Sequence, residues 1–199
     1  MEFRSRLGVE TVAYGISRRA YRSPRAACFT LTAAATASIM ACLGAPQPPD
    51  QTPFSPLDSL CQDGEAFVRL YAAPLPLVES IAIHSWFVVK HADSSEVHRW
   101  EVWVSAAEPY GYVREDLLPP EGDMGAGRAY VLAELSGTAS EPVITFIETR
   151  SPDYPCRDHY NLIWGPNSST YVQWVLTESG WGVVLPPSAI GKDVPAHCP

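Results

Sequence analysis

Charge is scarce in this chain, and positive charge scarcest. Only 18% of the 199 residues are charged, with 14 Lys and Arg against 22 Asp and Glu. The net charge of -8, with no Lys/Arg run, excludes the basic surface that a nucleic-acid backbone requires. The charge-free apolar stretch at residues 26–41 falls short of the roughly 20 residues that cross a bilayer. The Gly-rich segment 122–127 (GDMGAG) lacks both the phosphate-loop Lys and the dinucleotide spacing, and reads as a loop. Cys156 and His159 form one Cys/His pair with no second pair at metal-ligand spacing. No metal or organic cofactor is therefore implied. Collagen-like and coiled-coil compositions are absent, and 46% hydrophobic residues with six Trp exclude disorder throughout.

What charge there is lies unevenly. Six of the 14 basic residues (Arg4, Arg6, Arg18, Arg19, Arg22, Arg25) and two of the 22 acids (Glu2, Glu10) fall in residues 1–41, leaving eight basic and 20 acidic side chains beyond. A basic segment, a short apolar run and small residues at its end read as an export signal over 1–41. The run ends Ile39-Met40-Ala41-Cys42, which resembles the bacterial lipobox. That resemblance implies a lipid on Cys42, cleavage before it, and a membrane-anchored protein at the cell envelope; plain secretory cleavage near Ala41 is the alternative. Arg18-Arg19 leaves the twin-arginine and general routes both open. Residues 42–60 are a Pro-rich tether. Residues 61–199 form one globular domain. Beyond Cys28 in the leader and Cys42, three cysteines remain, and three pairings are open. Domain termini tend to lie close together, so the expected bridge is Cys61–Cys198.

Within the domain, residues 66–71 read as a strand. Residues 79–90 (ESIAIHSWFVVK) are apolar on both alternating faces, as a central strand covered on both sides would be. Asp93-Ser94-Ser95 is a turn signal, and residues 96–105 (EVHRWEVWVS) return as a hairpin partner. Residues 107–128 read as loop. Ser140-Glu141-Pro142 opens a helix with Ser140 as cap and Val143, Ile144 and Ile147 inward, stopped by Pro152 and Pro155. A second helix over 168–178 follows Gly165-Pro166-Asn167, with Val172, Val175 and Leu176 inward and Gly180 at its end. Residues 181–185 read as a closing strand. The fold class is α+β, an antiparallel sheet packed against two or more helices.

Three segments carry a family resemblance: residues 82–86 (AIHSW) with 99–102 (RWEV), residues 165–172 (GPNSSTYV), and residues 185–193 (LPPSAIGKD). They resemble the bacterial family catalogued as domain of unknown function 3750, which assigns no reaction. The wider order is similar to the circularly permuted branch of the papain-like superfamily, which includes lecithin:retinol acyltransferase and envelope amidases. In that branch a His on an early strand, a polar residue on the next and a Cys opening a helix after Asn form the site. The resemblance places His84 as base, Glu101 (rather than His98) as the group that orients it, and Ser168 where the Cys would stand, with Asn167 contacting substrate. Trp86, two along from His84 on one strand face, is expected to line the cleft for an acyl chain or peptide. Peptidoglycan, a peptide or an acyl group is the implied substrate, and a retired scaffold that only binds is the rival. A Ser cannot be primed as a thiolate and needs His84 as a true general base. Plainer roles stand beside these: Ser168 as a helix cap, His84 as a core histidine, Glu101 in an ion pair with Arg99, and Lys192–Asp193 as a salt-bridged turn.

Overall fold

Alternation of apolar side chains on two sides of the same strands decides the architecture. A computed structural model describes residues 56–57, 64–76, 81–105, 108–122 and 124–198. The leader, the proposed lipid site Cys42, nearly all of the tether and Cys61 lie outside the described residues. Five antiparallel strands, β1 (Phe67–Pro74), β2 (Ile83–Lys90), β3 (His98–Ser105), β4 (Glu108–Glu115) and β5 (Tyr130–Ser136), form one sheet in the order β4-β3-β2-β1-β5. Two helices follow, α1 (Glu141–Arg150) and α2 (Ser168–Glu178), so the α+β expectation holds.

On one face, Val68, Leu70 and Ala72 of β1, Ile83, Phe87 and Val89 of β2 and Val102 of β3 share a core with both helices. The helices supply Val143, Ile144 and Ile147 from α1, and Tyr171, Val172, Val175 and Leu176 from α2. Phe87 meets Tyr171 edge-on at 6.2 Å, which fixes α2 over this face. The opposite face carries Phe67, Tyr71, Ala73, Trp86 and Val88. It is packed by Leu57, Val97, Met124, Ala129 and Val131. β2 is buried along its whole length, as its doubly apolar pattern requires.

Several expectations are corrected. Residues 107–128, read as loop, contain β4, and β5 lies in a stretch to which the sequence reading assigned no element. Residues 181–185, read as a closing strand, pair with no strand among the described residues; they lie against the core, with Trp181 and Leu185 buried. Ser140 does not cap α1. Its backbone is already helical because the short turn Gly137–Ala139 runs straight into the helix, and its Oγ donates to the Gly137 carbonyl instead (2.7 Å). The Cys61–Cys198 pairing is overturned: Cys198 is bonded to Cys156, whose Cα is 5.0 Å away. The turn after α1 brings Cys156 into the buried core, against which the C-terminal segment folds back.

Candidate functional site

β2 and β3 pair only over Phe87–Trp100, Val88–Arg99 and Val89–His98. Beyond Phe87 the two strands separate, and a cavity of about 480 Å³ opens at this fork. Leu75, Pro76, Ala82, Ile83, Leu162 and Ile190 give it apolar walls, with Trp103 and Tyr160 as aromatic ones. Three polar residues reach it, His84, Asn167 and Ser168. An apolar pocket with few convergent polar groups is the usual form of a ligand site.

His84, Glu101 and Arg99 form a buried chain. The carboxylate oxygen Oε2 of Glu101 accepts from His84 Nε2 (2.7 Å) and from Arg99 Nη2 (2.7 Å). Arg99 lies 3.9 Å over the Trp86 ring and donates through Nη1 to the carbonyls of Pro119 (2.8 Å) and Gly122 (2.9 Å). Trp86 Nε1 donates to the Pro120 carbonyl (2.8 Å), so the 119–122 turn closes the network from outside. The His84 ring stacks on Trp86 at 5.6 Å and meets Trp103 edge-on at 5.1 Å. Burial works to raise the Glu101 pKa, but hydrogen bonds and charge from His84 and Arg99 outweigh it and hold the carboxyl below its ordinary range. Burial pushes His84 below its ordinary 6.5, with Arg99 adding to the effect and Glu101 opposing it. A neutral imidazole that donates from Nε2 to an ionised carboxylate keeps its lone pair on Nδ1. Nδ1 has no partner among the described residues.

At the start of α2, Asn167 is the cap, not Ser168. Asn167 Oδ1 accepts from the Ser169 (3.0 Å) and Thr170 (3.3 Å) amides, and Thr170 Oγ1 accepts from the Asn167 amide (3.0 Å). Asn167 Nδ2 donates to the carbonyls of Leu162 (3.2 Å) and Ile190 (3.0 Å), and Thr170 Oγ1 donates to the Gly191 carbonyl (2.7 Å). With capping done by its neighbour, the Ser168 hydroxyl has no hydrogen-bond partner among the described residues, nor does its amide. That amide lies at the positive end of the helix.

Gly191 makes this arrangement possible. Its φ is +94°, and a Cβ there would lie 2.6 Å from both Oδ1 and Nδ2 of Asn167. Gly191→Ala is expected to cost roughly 2–4 kcal/mol from backbone strain and overlap together. Urea unfolding checks this against Gly180→Ala, where φ is +72° but nothing lies within 4 Å. Equal costs at the two sites would mean that the Asn167 contact adds nothing.

The fork therefore brings His84, Glu101, Asn167 and Ser168 together, with His84 and Ser168 on one cavity. The two residues approach it from different sides. Strand alternation turns the imidazole to the Trp86 face, while α2 packs on the Phe87 face, and no hydrogen bond joins them. Trp86 is not a cavity residue: Arg99 and Tyr71 cover its two sides and leave it fully buried. Trp103, two residues past Glu101 on the same strand face, takes the place expected of it, and period-two counting along β3 would have found it. His98 Nδ1 donates to Asp116 Oδ2 (2.8 Å) and stays out of the network. Among the described residues, His98, Glu115 and Asp116 bring their ligating atoms within 4.8 Å, an exposed group able to hold a cation. Lys192 and Asp193 form a surface pair at 2.8 Å.

A family model described as protein of unknown function (DUF3750) matches residues 65–194, which include all five strands, both helices and every residue of the cavity. The chain belongs to the DUF3750 family. No curated protein and no solved structure matches it. The DUF3750 span also takes in Cys156 and Gly191, and stops before Cys198.

Proposed function

We propose that this is an exported, membrane-anchored envelope domain whose cavity performs acyl transfer or hydrolysis, with Ser168 as nucleophile, His84 as base and Glu101 holding the imidazole. One observation carries the reading: a histidine whose Nε2 is held by a buried carboxylate lines the same cavity as an unpartnered serine at a helix start. The Ser168 oxygen attacks the carbonyl carbon of an ester or amide, and its proton passes through water to His84 Nδ1. The tetrahedral oxyanion meets the free amide at the helix start. Collapse expels the alcohol or amine, which takes the proton from His84, and water or an acceptor then releases the acyl group by the reverse steps. The order of His, carboxylate and Asn-Ser follows that of the permuted papain-like enzymes, with Ser in the Cys position. Export is supported by the leader and by the Cys156–Cys198 disulfide, since such bonds persist in oxidising compartments. No helix among the described residues is long and apolar enough to cross a membrane.

A serine-reactive fluorophosphonate probe tests the chemistry. It is expected to label the native chain and to spare Ser168→Ala; equal labelling of both sinks the proposal. The base must be unprotonated, and the His84 pKa lies below 6.5. Labelling should thus hold as pH is lowered through 6.5 and fall only beneath it.

The separate approach of the imidazole and α2 from opposite faces favours a second reading, a module that binds in the cavity without catalysis. In that case Ser168→Ala keeps function while filling the cavity at Ala82 removes it.

A further inference from the structure

The loop that forms one cavity wall also carries the most exposed aromatic ring of this region. Leu162, Ile163 and Trp164 are 55%, 59% and 75% exposed, three large apolar side chains in succession. They are not slack chain. Asn161 Oδ1 accepts from the amides of Ile163 (3.1 Å) and Trp164 (2.8 Å), the Gly165 amide donates to the Asn161 carbonyl (2.9 Å), and the Asn161 amide donates to the Pro166 carbonyl (2.8 Å). Asn167, the α2 cap, holds the Leu162 carbonyl from behind. A closed, hydrogen-bonded tip that presents three apolar side chains to solvent is costly without a purpose. Leu162 belongs to both the tip and the cavity, so whatever covers the tip also faces the cavity rim. Across the cavity, Ile81 adjoins the lining residue Ala82 and is 59% exposed.

The chain itself indicates the occupant. Only 13 residues separate the expected lipid site at Cys42 from Pro56, and even a fully extended chain of that length reaches no more than about 45 Å, of the order of the domain's own diameter. A domain so held stays against the surface of its own membrane. Tryptophan with aliphatic neighbours suits the boundary between headgroups and acyl chains. The body beyond residue 41 has eight basic and 20 acidic side chains, so attraction to anionic lipid cannot be the driving force; apolar insertion can. We propose that Leu162, Ile163 and Trp164 insert into the bilayer interface and that the cavity behind them takes an acyl chain or acylated group from that membrane. The substrate class rests on the acyl-transfer reading above, whereas the insertion does not.

The full chain carrying Cys42→Ser, which has no lipid of its own, is titrated with phosphatidylcholine vesicles brominated on the acyl chains, and tryptophan fluorescence is followed. Residues 1–41 contain no Trp, so the leader contributes no signal. Quenching that rises with lipid is expected. Trp164→Phe should abolish the quenched component, and Leu162→Ser with Ile163→Ser, which keeps Trp164 as reporter, should need about tenfold more lipid. Added phosphatidylglycerol should not strengthen binding. No quenching, undiminished quenching in Trp164→Phe, or an unchanged titration in the double serine variant overturns the proposal. Ser168→Ala should quench like its parent. Quenching intact with no probe labelling of the native serine, or with equal labelling of the parent and Ser168→Ala, would discard the chemistry while upholding the insertion.

Discussion

Glu101→Ala is expected to lower the free energy of unfolding by about 3–5 kcal/mol, the cost of stranding a buried charge. The reason is Arg99. Its guanidinium is fully buried and sits on an aromatic ring, with neutral carbonyls at Nη1 and no partner among the described residues at Nε. Glu101 is the carboxylate that balances it. Urea unfolding of Glu101→Ala, of Arg99→Met, and of Glu101→Leu combined with Arg99→Met isolates the cause. The combined variant should be more stable than either single one, because it buries no unmatched charge. If it is as unstable as Glu101→Ala, packing rather than charge is responsible.

The same network makes stability fall on the acid side. Glu101 has a folded pKa below its ordinary 4.5, so its contribution is complete above that value and is lost as pH drops through the folded pKa. His84 is also lowered in the folded state, so the unfolded chain takes up its proton first, beginning near 6.5, and unfolding gains from that uptake down to the folded pKa. Both slopes have one sign.

The second large effect is expected at the disulfide. Cys156 and Cys198 are 42 residues apart, and opening that loop should cost about 4 kcal/mol on the chain-entropy relation. The closed loop contains the tip, the α2 cap, Ser168 and Ile190. Cys156→Ser should therefore cost stability and also let the 186–198 segment leave Asn167. Calorimetry with and without reductant, together with hydrogen exchange at Thr170 and Gly191, checks both parts. A melting temperature unchanged by reductant would mean that the C-terminal segment is held by packing alone.

How much of this was readable from the chain follows from whether the cause is local. The bounds of α2 are legible because Pro166 and Asn167 begin it, Gly180 ends it and three apolar residues repeat between them. β2 is legible from apolar residues on both alternating faces, and the turn after it from Asp93, which adopts a positive φ of 57°. The elements that failed depend on partners distant in sequence. β4 contains Pro109 and Gly111 and is a strand because β3 lies beside it. Residues 181–185 have strand-forming side chains but no neighbour to pair with among the described residues. The same division runs through the site. His84 and Glu101 could be named from adjacent strands, but the fork that begins past Phe87 is a tertiary event, and it moves the cavity away from Trp86 and onto Trp103. Cysteine pairing is likewise a matter of where the chain returns, which residue counts do not contain.

The strand order has a kinetic corollary. β1 through β4 are a meander in which each strand meets the next across a short connection, so those pairings can form early and at small entropic cost. β5 instead returns across the sheet to β1, placing Ser136 opposite Phe67. That closure must await a long excursion of the chain, and it brings α1 and then α2 into position behind it. The nascent meander therefore exposes the free edge of β1 to any extended segment that arrives first, which makes the interval before β5 docks the vulnerable moment in the life of this domain.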